Sequence, residues 1–95
     1  MLPVFKMKYS YVQFPDKTEI TYGDMDSQGN VQIRIETPVE GGFNSLGCVL
    51  PSYRITEQVG YSQQEVDALM DFLRRNAHLI MEFAQTGGFE NASAV

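Results

Sequence analysis

The sequence predicts an α+β fold: a four- or five-stranded antiparallel, meander-like sheet with one long C-terminal helix packed on one face. Three observations carry this. Apolar and polar residues alternate with period two in successive short runs between about residues 4 and 59. The connections between those runs are short and rich in Gly, Pro, Asp and Asn, which pairs neighbours antiparallel. From about 62 to 86 the period changes to that of a helix, with a start signal and a stop signal.

The helix is the best-specified element. Ser62 and Glu65 form an S-x-x-E capping box, in which each side chain satisfies an amide that the first turn leaves free. Tyr61 and Val66 stand where a hydrophobic staple fixes the entry of the chain, and Thr86-Gly87-Gly88 supplies the left-handed residue that ends the helix. At about 100° per residue, Val66, Leu69, Met70, Leu73, Ala77, Ile80, Met81 and Ala84 fall on one stripe that faces the sheet. Phe72, Leu79 and Phe83 form a second stripe roughly 120° from the centre of the first. Asp67, Asp71, Arg74, Arg75, His78, Glu82 and Gln85 take the remaining arc, with Asp71–Arg75 and His78–Glu82 as i,i+4 pairs.

Along the chain, Phe5, Met7, Tyr9 and Tyr11 alternate with Lys6, Lys8 and Ser10, so a first strand runs from Phe5 to Tyr11. The alternation slips at Tyr11-Val12, after which Val12 and Phe14 are the apolar positions, and a bulge is expected there. Phe14-Pro15-Asp16-Lys17 reads as a turn into a second strand, about Thr18 to Tyr22. Val31 to Thr37 is the cleanest strand: Val31, Ile33 and Ile35 face in, Gln32, Arg34 and Glu36 face out, and Pro38 ends it. Val39-Glu40-Gly41-Gly42 reads as a flexible loop before a fourth strand, about Asn44 to Leu50, stopped by Pro51. Tyr53, Ile55 and Val59 against Arg54, Thr56 and Gln58 make a fifth strand plausible, and the tail 89–95 is expected to fray. All 95 residues read as a single domain.

Composition narrows the function classes. Twelve acidic residues against seven basic give a net charge of −5, and the basic residues are scattered, which opposes nucleic acid and anionic membrane. One cysteine allows no internal disulfide and fits a reducing compartment; no apolar run suits a signal peptide or a membrane span, so the expected location is cytoplasmic. Asn91-Ala92-Ser93 matches a glycosylation sequon, which has meaning only on export.

No catalytic residue is identified, and no cofactor is expected. Asp24 to Val31, D-M-D-S-Q-G-N-V, resembles the first eight positions of an EF-hand calcium loop, with Asp24 and Asp26 as weak candidate metal ligands. The loop departs from that pattern at its twelfth position, which is Ile35 in place of the bidentate glutamate, and its flanks read as strands. The ordinary reading of Asp24 to Asn30 is a hairpin loop using polar turn chemistry. Cys48 and the single histidine, His78, suggest a nucleophile and base, with Tyr9, Tyr11, Tyr22, Tyr53 and Tyr61 as further candidates for a pocket between helix and sheet. Cys48 lies in an apolar strand, where an inert buried thiol is the commoner role, and His78 lies on the polar side of the helix. The run of strands, a Leu50-Pro51 step and a C-terminal helix, from about Val31 to Ala84, loosely resembles small uncharacterised bacterial domains; that resemblance implies no active site.

The sharper functional expectation comes from the second helix stripe. A flat sheet leaves Phe72, Leu79 and Phe83 bare, at a cost of roughly 1.5–3 kcal/mol of forgone burial for each large side chain. Cover is expected from a curled sheet, from the 38–45 segment through Phe43, from the tail through Phe89, or from a second copy of the chain. The expectation is a small non-catalytic binding or regulatory module, acting as a homodimer or through a protein partner, with Phe72, Leu79 and Phe83 at the interface.

Overall fold

Turn chemistry closes the first hairpin. In the computed structural model, which describes Lys8 to Gly87, the amide of Lys17 donates to the Phe14 carbonyl and that of Phe14 to the Thr18 carbonyl, each at 2.8 Å. The Asp16 carboxylate accepts the Thr18 amide at 3.0 Å, and Lys17 takes a left-handed φ of 71°. The turn joins β1 (Lys8–Gln13) to β2 (Glu19–Gly23). The register slips between Ser10 and Val12, so Tyr11 is the extra residue of a bulge, as the broken alternation implies. Phe5 to Met7 of the expected first strand, Gly88, and the tail 89–95 with Phe89 and the sequon lie outside the described residues.

The sheet is a five-stranded meander in the order β1-β2-β3-β4-β5, completed by β3 (Val31–Val39), β4 (Gly42–Leu50) and β5 (Arg54–Val59), all pairings antiparallel. Three local expectations are corrected. Pro38 does not end β3; it continues the strand opposite Phe43. The reason is that β2 stops opposite Glu36, so beyond that point β3 is an edge on one side and tolerates a residue without an N–H. Val39 to Gly42 is not a flexible loop. Val39 pairs directly with Gly42, and the two residues between them turn tightly, with Gly41 at φ 83° where a side chain costs most. In β5 the register slips so that Cys48 opposes Ile55 while Gly47 opposes Glu57. Thr56 is therefore extra, and Val59 falls on the opposite face from Ile55 instead of the same one.

One face of the sheet carries the core. The rows Val12–Ile20–Ile35–Leu46 and Tyr9–Tyr22–Ile33–Cys48 cross it beneath α1 (Gln63–Gln85), and Ile20, Ile35, Leu46 and Leu73 are fully buried. The helix contributes Val66, Met70, Leu73, Ile80 and Ala84 to the core, with Leu69, Ala77 and Met81 packed partly against it, so the sheet-facing stripe is as expected. Both arms of the capping box are present: Ser62 Oγ accepts the Glu65 amide at 3.2 Å, and Glu65 Oε1 accepts the Ser62 amide at 2.8 Å. Gly87 at φ 84° ends the helix, and the Met25 amide, from the β2–β3 connection, donates to the Ala84 carbonyl at 3.4 Å. The Asp71–Arg75 pair also forms, at 2.8 Å across one exposed turn. Replacing Ser62 with alanine frees the Glu65 amide and is expected to cost about 1 kcal/mol in urea unfolding. Adding Glu65→Ala to it is expected to cost less than the sum of the two singles, because they share one device.

Candidate functional site

The cysteine and the histidine are not brought together. Cys48 lies on the helix-facing side of β4 inside the core cluster, whereas His78 is on the exposed side of α1. Burial pushes the Cys48 thiol up to about 11. The folded chain thus holds this proton more tightly than the unfolded one. The thiol's contribution to stability is constant below about 9 and falls as pH rises from there through about 11. Alkylation by iodoacetamide at neutral pH is expected to be far slower in the native protein than in urea, and a thiol equally fast in both is the contrary result. Among the tyrosines, Tyr22 is fully buried, Tyr9 donates to Asp24 Oδ1 at 2.9 Å, and Tyr11 donates to Asn76 Oδ1 at 2.7 Å. The Arg74 guanidinium stands 5.6 Å over the Tyr53 ring. These four rings anchor strands, helix and turns to one another.

The connection from Asp24 to Asn30 follows turn chemistry. Asp26 Oδ1 accepts the amides of Gln28 and Asn30, both at 2.9 Å, and the Asp26 carbonyl accepts the Gly29 amide at 3.0 Å, with Gly29 at φ 84°. Asp24 is turned to Tyr9, and Ile35, the residue at the twelfth position, is fully buried. No group of three or more His, Cys, Asp or Glu side chains able to hold a metal occurs among the described residues. Millimolar calcium is expected to leave the melting temperature unmoved; a rise would show that Asp24 and Asp26 can release these partners.

The second helix stripe is divided. Phe72 meets Phe14 edge-on at 5.2 Å, and Phe83 lies 6.4 Å from Tyr11; both phenylalanines are half-buried. The bulge at Tyr11 puts Tyr11, Val12 and Phe14 all on the helix side, where the Tyr11 and Phe14 side chains reach the flank of α1. Leu79 stays 37% exposed. Phe43 gives no cover: it is 60% exposed and belongs to the other face of the sheet, opposite Pro38. At the start of the helix, Thr18 Oγ1, Thr37 Oγ1 and the Tyr61 hydroxyl form a chain with steps of 2.6 and 2.7 Å. That chain borders a hollow of about 200 Å³ and ties the first turn to β3 and α1.

The other sheet face has no layer over it among the described residues. Its rows follow from the register: Ser10–Thr21–Arg34–Gly47–Glu57 and Gln13–Glu19–Glu36–Ser45–Val59, with Lys8, Gln32, Val49 and Arg54 towards one end and Pro38 and Phe43 at the other. Two properties set this face apart. Its strand rows carry three basic side chains (Lys8, Arg34, Arg54) and three acidic ones (Glu19, Glu36, Glu57), so the rows are neutral, and Asp24 and Asp26 of the β2–β3 connection stand at the rim beside Lys8. Arg34, in the central row, reaches Glu36 at 3.4 Å and Glu57 at 2.7 Å. The approach to Glu57 Oε1, which is shielded from water, lies outside ordinary hydrogen-bond angles, so charge and not hydrogen-bond geometry holds that pair. The second property is relief. A hollow of about 620 Å³ opens between Gly23, Gln32, Arg34 and Gly47, where two residues lack side chains, while Phe43 and Val59 project, 60% and 51% exposed. Sequence reasoning placed Gln32, Arg34 and Glu36 outward but missed the surface. The available signal was the pair of glycines at outward positions together with Phe43.

No family model, no curated protein and no solved structure matches this chain. No described helix is long and apolar enough to cross a membrane.

Proposed function

We propose that this chain is a small, non-catalytic cytoplasmic binding or regulatory module, working as a homodimer or through another protein, with the uncovered sheet face as its contact surface. The observation that carries the reading is that Phe43 and Val59 both project from a face whose strand charges balance and whose other exposed side chains are mostly polar. Aromatic anchors within a polar rim are the composition of protein contact surfaces. A neutral face offers nothing to attract a polyanion, which favours protein over nucleic acid or anionic lipid. A buried thiol raised by desolvation supports a non-catalytic role and suits a reducing compartment. The helix stripe offers less for a partner, since Phe72 and Phe83 already pack against β1 and only Leu79 is exposed.

A photo-crosslinking amino acid at position 59, compared with one at position 79, tests this inside cells. Cross-linked protein adducts from 59 and few from 79 are expected. Adducts from 79 alone transfer the contact to the helix stripe of Phe72, Leu79 and Phe83, and adducts from neither position overturn the module reading.

A further inference from the structure

We infer that the partner is a second copy of this chain, packed sheet to sheet about a two-fold axis, with Phe43 of each copy seated in the hollow of the other. The inference rests on the reading that the uncovered sheet face is the contact surface, and it names the partner.

Charge decides which surface two copies can share. Each chain carries −5, so most approaches between copies bring like charges together. The uncovered face is the exception, with equal numbers of basic and acidic side chains interspersed across its rows. Arg34 and its two glutamates lie in and beside the central row, so a half-turn can set arginine of one copy against glutamate of the next. A partner of strong single charge gains nothing from such a surface.

Shape points the same way. Val31↔Leu50 and Val39↔Gly42 are the end pairs of the β3–β4 ladder, so Ile35↔Leu46 is its midpoint. Phe43 lies three residues from Leu46 towards one end, about 10 Å along the strand. A half-turn about an axis crossing the strands at the midpoint carries Phe43 to the level of Val49↔Gln32 on the facing copy. Phe43 there stands over Val49 of β4, and the hollow of about 620 Å³ opens one strand over, at Gln32 of β3, about 4.8 Å away and within reach of a phenylalanine side chain. An isologous contact repeats the fit at both ends.

Size and edges agree. Five strands about 4.8 Å apart and about 20–25 Å long give roughly 500–600 Å² in projection. The relief of the side chains raises this towards the roughly 800 Å² per partner of a standard stable interface. Side-by-side strand addition is blunted, because both edge strands carry a bulge, at Tyr11 in β1 and Thr56 in β5.

Sedimentation equilibrium of the purified chain across the micromolar range tests the inference. A dimer is expected. Phe43→Asp is expected to weaken it more than about 30-fold. Gln32→Trp, which fills the hollow from the other side, is expected to do the same, while Leu79→Asp leaves the dimer intact. Phe43 and Gln32 are both exposed, so unchanged far-ultraviolet circular dichroism separates lost association from lost folding. A strictly monomeric wild-type chain, or a dimer that survives both Phe43→Asp and Gln32→Trp, overturns the inference. With a monomer, adducts from position 59 to a different protein keep the contact face and reject only the second copy; no adducts reject both.

Discussion

Leu73→Ala is expected to lower the free energy of unfolding by about 3 kcal/mol. Leu73 is fully buried at the middle of α1, within the one cluster that joins the helix to β2, β3 and β4. Truncation removes transfer free energy and leaves a cavity, because the branched side chains around it, Ile20, Ile35 and Leu46 among them, have little freedom to collapse inwards. A 95-residue domain has a total stability of about 5–14 kcal/mol, so the loss is a large fraction of the whole. In thermal unfolding it corresponds to a fall of about 12–24 °C. Leu79→Ala, on the exposed side of the same helix, is expected to change stability by less than about 0.5 kcal/mol. Urea unfolding of the two variants side by side is the measurement. A loss below about 1 kcal/mol for Leu73→Ala contradicts the packing of α1 on the sheet.

What the sequence made legible follows the range of the forces involved. The helix, its caps and its buried stripe depend on residues within four of one another, and Ser62, Glu65, Val66, Leu73 and Gly87 stand as local rules require. The bulge at Tyr11 was also readable, because the apolar alternation itself breaks there. What failed depends on partners distant in sequence. Whether Pro38 ends a strand is decided by where β2 stops, opposite Glu36. Which face Val59 takes is decided by a slip between β4 and β5 that leaves no trace in the alternation of β5 alone.

The candidate site was less legible for the same reason. The second helix stripe is visible in the sequence, but its cover by Tyr11 and Phe14 depends on where the helix lies across the sheet. The charge balance of the open face's rows is a sum over residues of four strands, from Lys8 to Glu57. No window of sequence shows it, and only the register assembles it. Cys48 was readable as a buried thiol because a run of apolar neighbours reports burial locally.

Gly60→Ala is the second large effect expected, and its cause lies in the backbone. Gly60 joins the end of β5 to the helix cap at a φ of 87°, a conformation that costs a residue with a Cβ about 1–2 kcal/mol. A Cβ there also collides with the Asn44 side chain, meeting its Oδ1, coming within 2.7 Å of its Cγ and lying 3.3 Å from its Cα. Asn44 is half-buried and its Cα is held opposite Thr37 in the β3–β4 ladder, so turning its side chain relieves the collision only in part. The two penalties together are expected to reach about 2–4 kcal/mol in urea unfolding. A double-mutant cycle separates them. In an Asn44→Gly background most of the collision is gone, and Gly60→Ala is expected to cost only its conformational part, leaving a coupling energy of about 1–2 kcal/mol. A coupling near zero assigns the whole loss to φ and contradicts the close approach of Gly60 to Asn44. The joint also fixes how Tyr61 and Ser62 enter the helix, so Gly60→Ala is expected to weaken the capping box as well. In the variant, the amide of Glu65, bonded to Ser62 Oγ in the native fold, is expected to exchange hydrogen faster relative to that of Leu73 than it does in the wild type.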